Sequence, residues 1–155
     1  MACAADTVHR GMFSARIDIS QDLDGQAVVF ACFDLGEPEI AASAHAVAAT
    51  VSERFRTSDM SADDVLALRE LTALGDELSE HARGAGSQTL VMRPARLSAY
   101  RDVLSRFVAL RDEADWIRPD DHEALACLRG LLDPLEDLCG EAMRAALTPP
   151  TARRS

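Results

Sequence analysis

Phe13, Ala15, Ile17 and Ile19 alternate with Ser14, Arg16, Asp18 and Ser20. This is the period-two pattern of a strand with one apolar and one polar side. Asp22-Leu23-Asp24-Gly25 follows, and Asp-Gly between two such segments predicts a hairpin. The run Ala27-Val28-Val29-Phe30-Ala31-Cys32-Phe33 is apolar on both faces, so this strand is expected to be central in its sheet or covered on both sides. After Gly36-Glu37-Pro38 the period changes. Ile40, Ala44, Val47, Val51 and Phe55 recur at helical spacing and predict a helix over 38–56 with that stripe inward. Its many alanines allow close approach to a neighbouring helix.

Ser61 with Asp64 three positions on predicts a capping box. The helix it opens covers 62–82, with Val65, Leu68, Leu71, Leu74 and Leu78 inward, and Gly84-Ala85-Gly86-Ser87 ends it. Residues 89–92 read as a third strand. Pro94 opens a third helix to about residue 115. Arg118-Pro119 breaks the chain, and Asp120 with Glu123 predicts a similarly capped fourth helix. Asp133-Pro134 predicts a kink or split within it. The expected fold class is therefore α+β: a small antiparallel sheet of about three strands, a hairpin plus one later strand, packed with about four helices in the order ββααβαα. One domain is expected over 12–147, with a flexible N-terminus over 1–11 and a flexible tail over 148–155.

Composition narrows the chemistry. All 16 basic residues are arginine, and the chain contains neither lysine nor asparagine. Schiff-base lysines and lysine-dependent phosphate loops are therefore excluded. Codon economy in a high-GC bacterial genome is the expected cause of the bias. The formal charge of −10 disfavours direct nucleic-acid binding and anionic membranes. The chain lacks an apolar run of membrane-spanning length and an N-terminal signal pattern, so a cytoplasmic location is expected. The four cysteines, Cys3, Cys32, Cys127 and Cys139, form no CxxC pair and read as small buried hydrophobes.

The remaining motifs carry little chemistry. Asp22-x-Asp24-Gly25 fails as a calcium loop because Ser20 and Ala31 would fill ligand positions. Gly84-x-Gly86-Ser87 precedes a strand rather than a helix, so it cannot cradle a phosphate in the usual way. His9, His45, His81 and His122 include no i, i+4 pair. Neither a metal nor a cofactor is expected.

Charge placement gives the candidate sites. Five arginines and only Asp102 lie from Arg93 to Arg111, between two acidic regions. On the third helix Tyr100, Val103, Leu104, Phe107, Leu110 and Ala114 form an apolar arc, and Arg111 falls inside it. A charge there must snorkel, pair or face a partner. Arg93, Arg96 and Arg111 are thus candidates for an anion site or a buried ion pair. The stretch from 112 to 123 holds Asp112, Glu113, Asp115, Asp120, Asp121 and Glu123 together with the only tryptophan, Trp116. Trp116 is expected in the core beneath an acidic loop; exposed, it would anchor a basic partner.

The resulting functional expectation is a non-catalytic acidic interaction or regulatory module that binds a basic protein partner, with homo-oligomers possible. Two alternatives stand beside it. One is an inhibitor whose acidic face mimics nucleic acid and blocks a DNA- or RNA-binding enzyme. The other is a small anionic-ligand binder or enzyme with an arginine-lined pocket.

Overall fold

The computed structural model describes residues 8–10, 13–56 and 59–148. It shows strands β1 (Val8–Arg10), β2 (Phe13–Gln21) and β3 (Ala27–Leu35), helices α1 (Glu37–Phe55) and α2 (Ala62–Ala82), strand β4 (Gln88–Met92), and helices α3 (Pro94–Asp112) and α4 (Pro119–Leu147). The fold is α+β with the expected ββααβαα order, preceded by one short additional strand. That strand, β1, lies within the segment expected to be a flexible terminus and pairs antiparallel with β2.

Local chemistry sets the element ends. In the β2–β3 hairpin Asp22 Oδ1 accepts hydrogen bonds from the amides of Asp24 and Gln26, each at 2.9 Å. Gly25 sits at φ +78°, where a side chain would be strained. The capping box of α2 is present in both directions: Ser61 accepts from the Asp64 amide, and Asp64 accepts from the Ser61 amide. Pro94 stands in the first turn of α3, where its missing N–H costs nothing. Helix α4 corrects two expectations. Arg118, not Asp120, is its N-cap, without a side-chain cap bond. The helix is also not split at Pro134 but continuous through it. Proline there removes one helical hydrogen bond and crowds the carbonyl of Gly130. The same proline is buried among the core residues of α4, and that packing compensates.

The sheet order is β1-β2-β3-β4, antiparallel throughout, so β3 is central as expected. One sheet face carries Ala15, Ala31, Phe33, Leu35, Leu90 and Met92 into the core. Phe33 stacks on Tyr100 of α3 with ring centroids 6.1 Å apart. Tyr100 in turn meets Ser43 of α1 through a 2.6 Å hydroxyl–hydroxyl bond. The opposite face carries Arg16, Asp18, Cys32 and the half-exposed Val91.

Helices α3 and α4 contact the sheet, α1 packs across both of them, and α2 packs on α1. At the α1–α2 crossing a Cβ on Gly75 would stand 3.2 Å from Val47 Cγ1, so glycine permits the close approach. Phe55 and Val65, expected inward, are 63% and 43% exposed. None of residues 62–67 is buried, so this end of the α1–α2 hairpin lies outside the core and their helical spacing finds nothing to pack against.

Candidate interaction site

The segment joining α3 to α4 holds the sequence's two candidate regions side by side. Arg111, in the last turn of α3, does lie toward the apolar side. Its guanidinium carbon stands 4.4 Å from the centre of the Phe107 ring. Nε donates to Asp121 Oδ2 at 3.2 Å, and Nη2 donates to Glu53 Oε1 of α1 at 2.8 Å. The other oxygen of Asp121 meets His45 Nε2 at 2.7 Å, and the imidazole stands edge-on to Phe107 with centroids 5.9 Å apart. Three helices are thus tied by one chain of contacts, Glu53–Arg111–Asp121–His45.

The electrostatics follow from burial and pairing. Burial opposes the charge on Asp121, but the hydrogen bonds from His45 and Arg111 together hold its carboxyl below the usual carboxylate range. Burial likewise opposes the charge on Arg111, and its bonds to Glu53 and Asp121 outweigh that and raise its pKa. Asp121, one of the candidate docking acids, is 5% exposed and pairs with His45 and Arg111 within the fold. Its location follows from the helix start at Pro119, which turns Asp121 inward.

Trp116 corrects the opposite way. It is 74% exposed, not in the core. It lies on one side of a cleft of about 430 Å³ lined also by Asp112, Asp115, Ile117, His122 and Arg129. Asp112 is paired with Arg129. Glu113, Asp115, Asp120 and Glu123 are exposed and have no ion-pair partner among the described residues. On the other side of the first turn of α4 is a second, mainly apolar groove of about 550 Å³, bordered by Pro38, Ala41, His45, Asp120, Glu123 and Cys127. Arg111 reaches the first cleft and His45 the second, with the buried Asp121 between them. Five of the seven acidic-corner candidates, Glu113, Asp115, Trp116, Asp120 and Glu123, are therefore exposed around the start of α4, with Asp115 and Trp116 on the first cleft and Asp120 and Glu123 on the second.

The candidate anion anchors do not converge. Arg96 is engaged by Glu77 at 2.8 Å and Glu70 at 3.3 Å. Arg111 is engaged as described. Arg93 is exposed at the N-cap of α3. Sequence reasoning missed His45 and Glu53 as the groups that complete the Arg111 network. They lie 76 and 58 positions from their partners, and no local pattern marks them.

Among the described residues, no group of three or more His, Cys, Asp or Glu is placed to hold a metal ion. Cys32, Cys127 and Cys139 are free thiols. Burial raises the pKa of each, that of Cys139 to about 11, so none is a ready thiolate at neutral pH. Cys3 lies outside the described residues. Among the described residues, no helix is long and apolar enough to cross a membrane. Comparison with protein-family models, curated proteins and solved structures finds no match to this chain.

Proposed function

We propose that the chain is a non-catalytic interaction module that binds a basic segment of a protein partner at the α3–α4 corner, in the cytoplasm of a high-GC bacterium. The observation that carries this reading is Trp116, exposed among carboxylates beside a cleft. A large exposed indole in an acid-rich loop is suited to insert between the aliphatic stems of Arg or Lys, while Glu113, Asp115, Asp120 and Glu123 meet the cationic heads. The carboxylates steer encounter and the indole supplies buried area. Engagement of both Arg96 and Arg111 by carboxylates leaves the arginine-lined anion pocket without a comparable observation.

The test is quantitative affinity capture from host extract with a tagged chain. A basic protein is expected to be retained at low salt and released as salt rises. Trp116→Ala is expected to weaken binding by at least about 2 kcal/mol, roughly 30-fold. Paired Asp115→Lys and Glu123→Lys reversals are expected to reduce capture further, with the far-UV spectrum unchanged. Retention of the same partner by both variants, or its indifference to salt, would sink the reading.

A further inference from the structure

We propose that the chain self-associates through β4. Two copies pair their β4 edges antiparallel about a two-fold axis at Leu90 and join two four-stranded sheets into one. The surface is distinct from the acidic corner, and the proposal does not depend on the reading above.

Among the described residues, strand β4 ends the sheet and pairs only with β3. Natural edge strands are commonly protected by shortness, charge, proline or a bulge. The opposite edge, β1, has only three residues. Strand β4 has five, Gln-Thr-Leu-Val-Met, with no charge and no proline, and its register with β3 is unbroken from Gln88 to Met92. Nothing in the strand discourages another strand from pairing.

The ladder register shows which backbone groups are available. The Asp22 amide bonds the Gln26 carbonyl, so at every second position along the hairpin, Ser20–Val28, Asp18–Phe30 and Arg16–Cys32, β3 turns its bonding groups to β2. Phe33 therefore turns its own to β4, and its partner Leu90 bonds β3. Strand alternation then turns the amides and carbonyls of Thr89 and Val91 outward. Both residues are exposed, Val91 at 50%. Among the described residues, no backbone bond outside the β3 ladder involves residues 88–92. Two outward residues flanking one inward residue form a self-complementary edge. A two-fold at Leu90 places Thr89 opposite the partner subunit's Val91, and each of the two such pairs exchanges both amide–carbonyl bonds.

Charge selects a second copy as the occupant. Two bodies of charge −10 repel over most of their surface. Between Glu80 and Asp102, however, the chain has no acidic residue, and β4 lies in the middle of that interval; the carboxylate that reaches the strand is Asp34 of β3, which accepts a hydrogen bond from the Thr89 hydroxyl. Its arginines are largely neutralised: Arg83 by Glu80, Arg96 by Glu70 and Glu77, and Arg101 by Asp102 and Glu136. Among the described residues Arg93 is left without an ion-pair partner, and the proposed register sets it opposite a serine, the partner subunit's Ser87. The two Arg93 positions are then separated by six residue pairs, about 20 Å, beyond the ~8 Å screening length at physiological salt.

The test is sedimentation velocity of the full chain across concentration and salt. The expected result is a dimer that dissociates on dilution and strengthens as salt rises, because salt screens the repulsion between the acidic bodies. This is the opposite sign from release of a basic partner, so the two proposals can fail separately. Val91→Pro removes an outward amide at an edge, and Val91→Lys places a charge on the exposed face; each is expected to give a monomer with an unchanged circular dichroism spectrum. If Val91→Pro does not fold, Val91→Lys alone decides. In wild type, hydrogen exchange at Thr89 and Val91 should slow with protein concentration. A monomer at every concentration and salt overturns the proposal, as does a dimer that the folded variants leave intact. So does protection of those amides only on addition of host extract, which would assign the edge to a different strand.

Discussion

Residues 111–123 contain two kinds of charge that composition cannot tell apart. Arg111 and Asp121 lie between three helices, with side chains 15% and 7% exposed, and every charged contact they make is to another described residue. Glu113, Asp115, Asp120 and Glu123 belong to the same stretch but stay in water around Trp116. The first set ties α1 to α3 and α4; the second has no counter-charge among the described residues. Carboxylates one residue apart, such as Asp120 and Asp121, thus serve opposite ends. A helix that rotates about 100° per residue sends one outward and the next into the core. Acid content by itself does not define a docking surface; what matters is which acids remain unpaired after folding.

The largest effect should come from cutting the buried network. Asp121→Asn leaves Arg111 with Glu53 alone and removes the charge that faces His45, and should destabilise the fold by about 3 kcal/mol in urea unfolding. A loss under about 1 kcal/mol would erase the proposed difference between the two regions.

Acid unfolding sharpens the same point. The folded-state pKa of Asp121 lies below the ordinary 3.8, so the unfolded chain binds a proton more readily than the folded one. Its contribution is fully present above pH 3.8 and fades as pH falls through the lower folded value. Wild-type stability should therefore fall in that window, and Asp121→Asn should show a shallower acid limb when chemical unfolding is repeated at each pH.

Smaller effects belong to the exposed side. Arg129→Ala breaks the surface pair with Asp112 and should cost less than about 1 kcal/mol. Trp116→Ala should change stability by no more than about 0.5 kcal/mol, since the indole is mostly in water. A loss of several kcal/mol would place Trp116 among the packing residues instead. As the only tryptophan, it also reports its own environment: its emission should lie at the exposed wavelength and shift on partner binding.

Local order was largely legible in the sequence. The Asp-Gly turn, the Ser61–Asp64 box and Pro94 each act through backbone groups within a few residues, and each appears where its motif stands. The periodicity also identified Arg111 as an anomaly on an apolar arc. It could not supply Glu53, Asp121 and His45 as the explanation. Trp116 and Asp121 illustrate the limit from both sides: an aromatic expected inside is outside, and a candidate docking acid is inside. Phe55 and Val65 have the right spacing for burial but lie past the end of the layer they would join. Pro134 is a breaker by local chemistry, yet core packing along α4 carries the helix through it.

What the sequence determined by itself was short-range. Amide and carboxyl groups within four residues, and the 2.0 and 3.6 periods, set the seven expected elements, their order and their class. The tertiary structure decided which charges are spent. Pairing across 58 or 76 residues depends on where helices α1, α3 and α4 meet, and that meeting is driven by burial of Phe107, Leu104 and their neighbours, which is nearly blind to the identity of the polar groups carried in with them. Only after that packing is in place do Arg111 and Asp121 become internal, while Trp116 and the neighbouring carboxylates remain exposed.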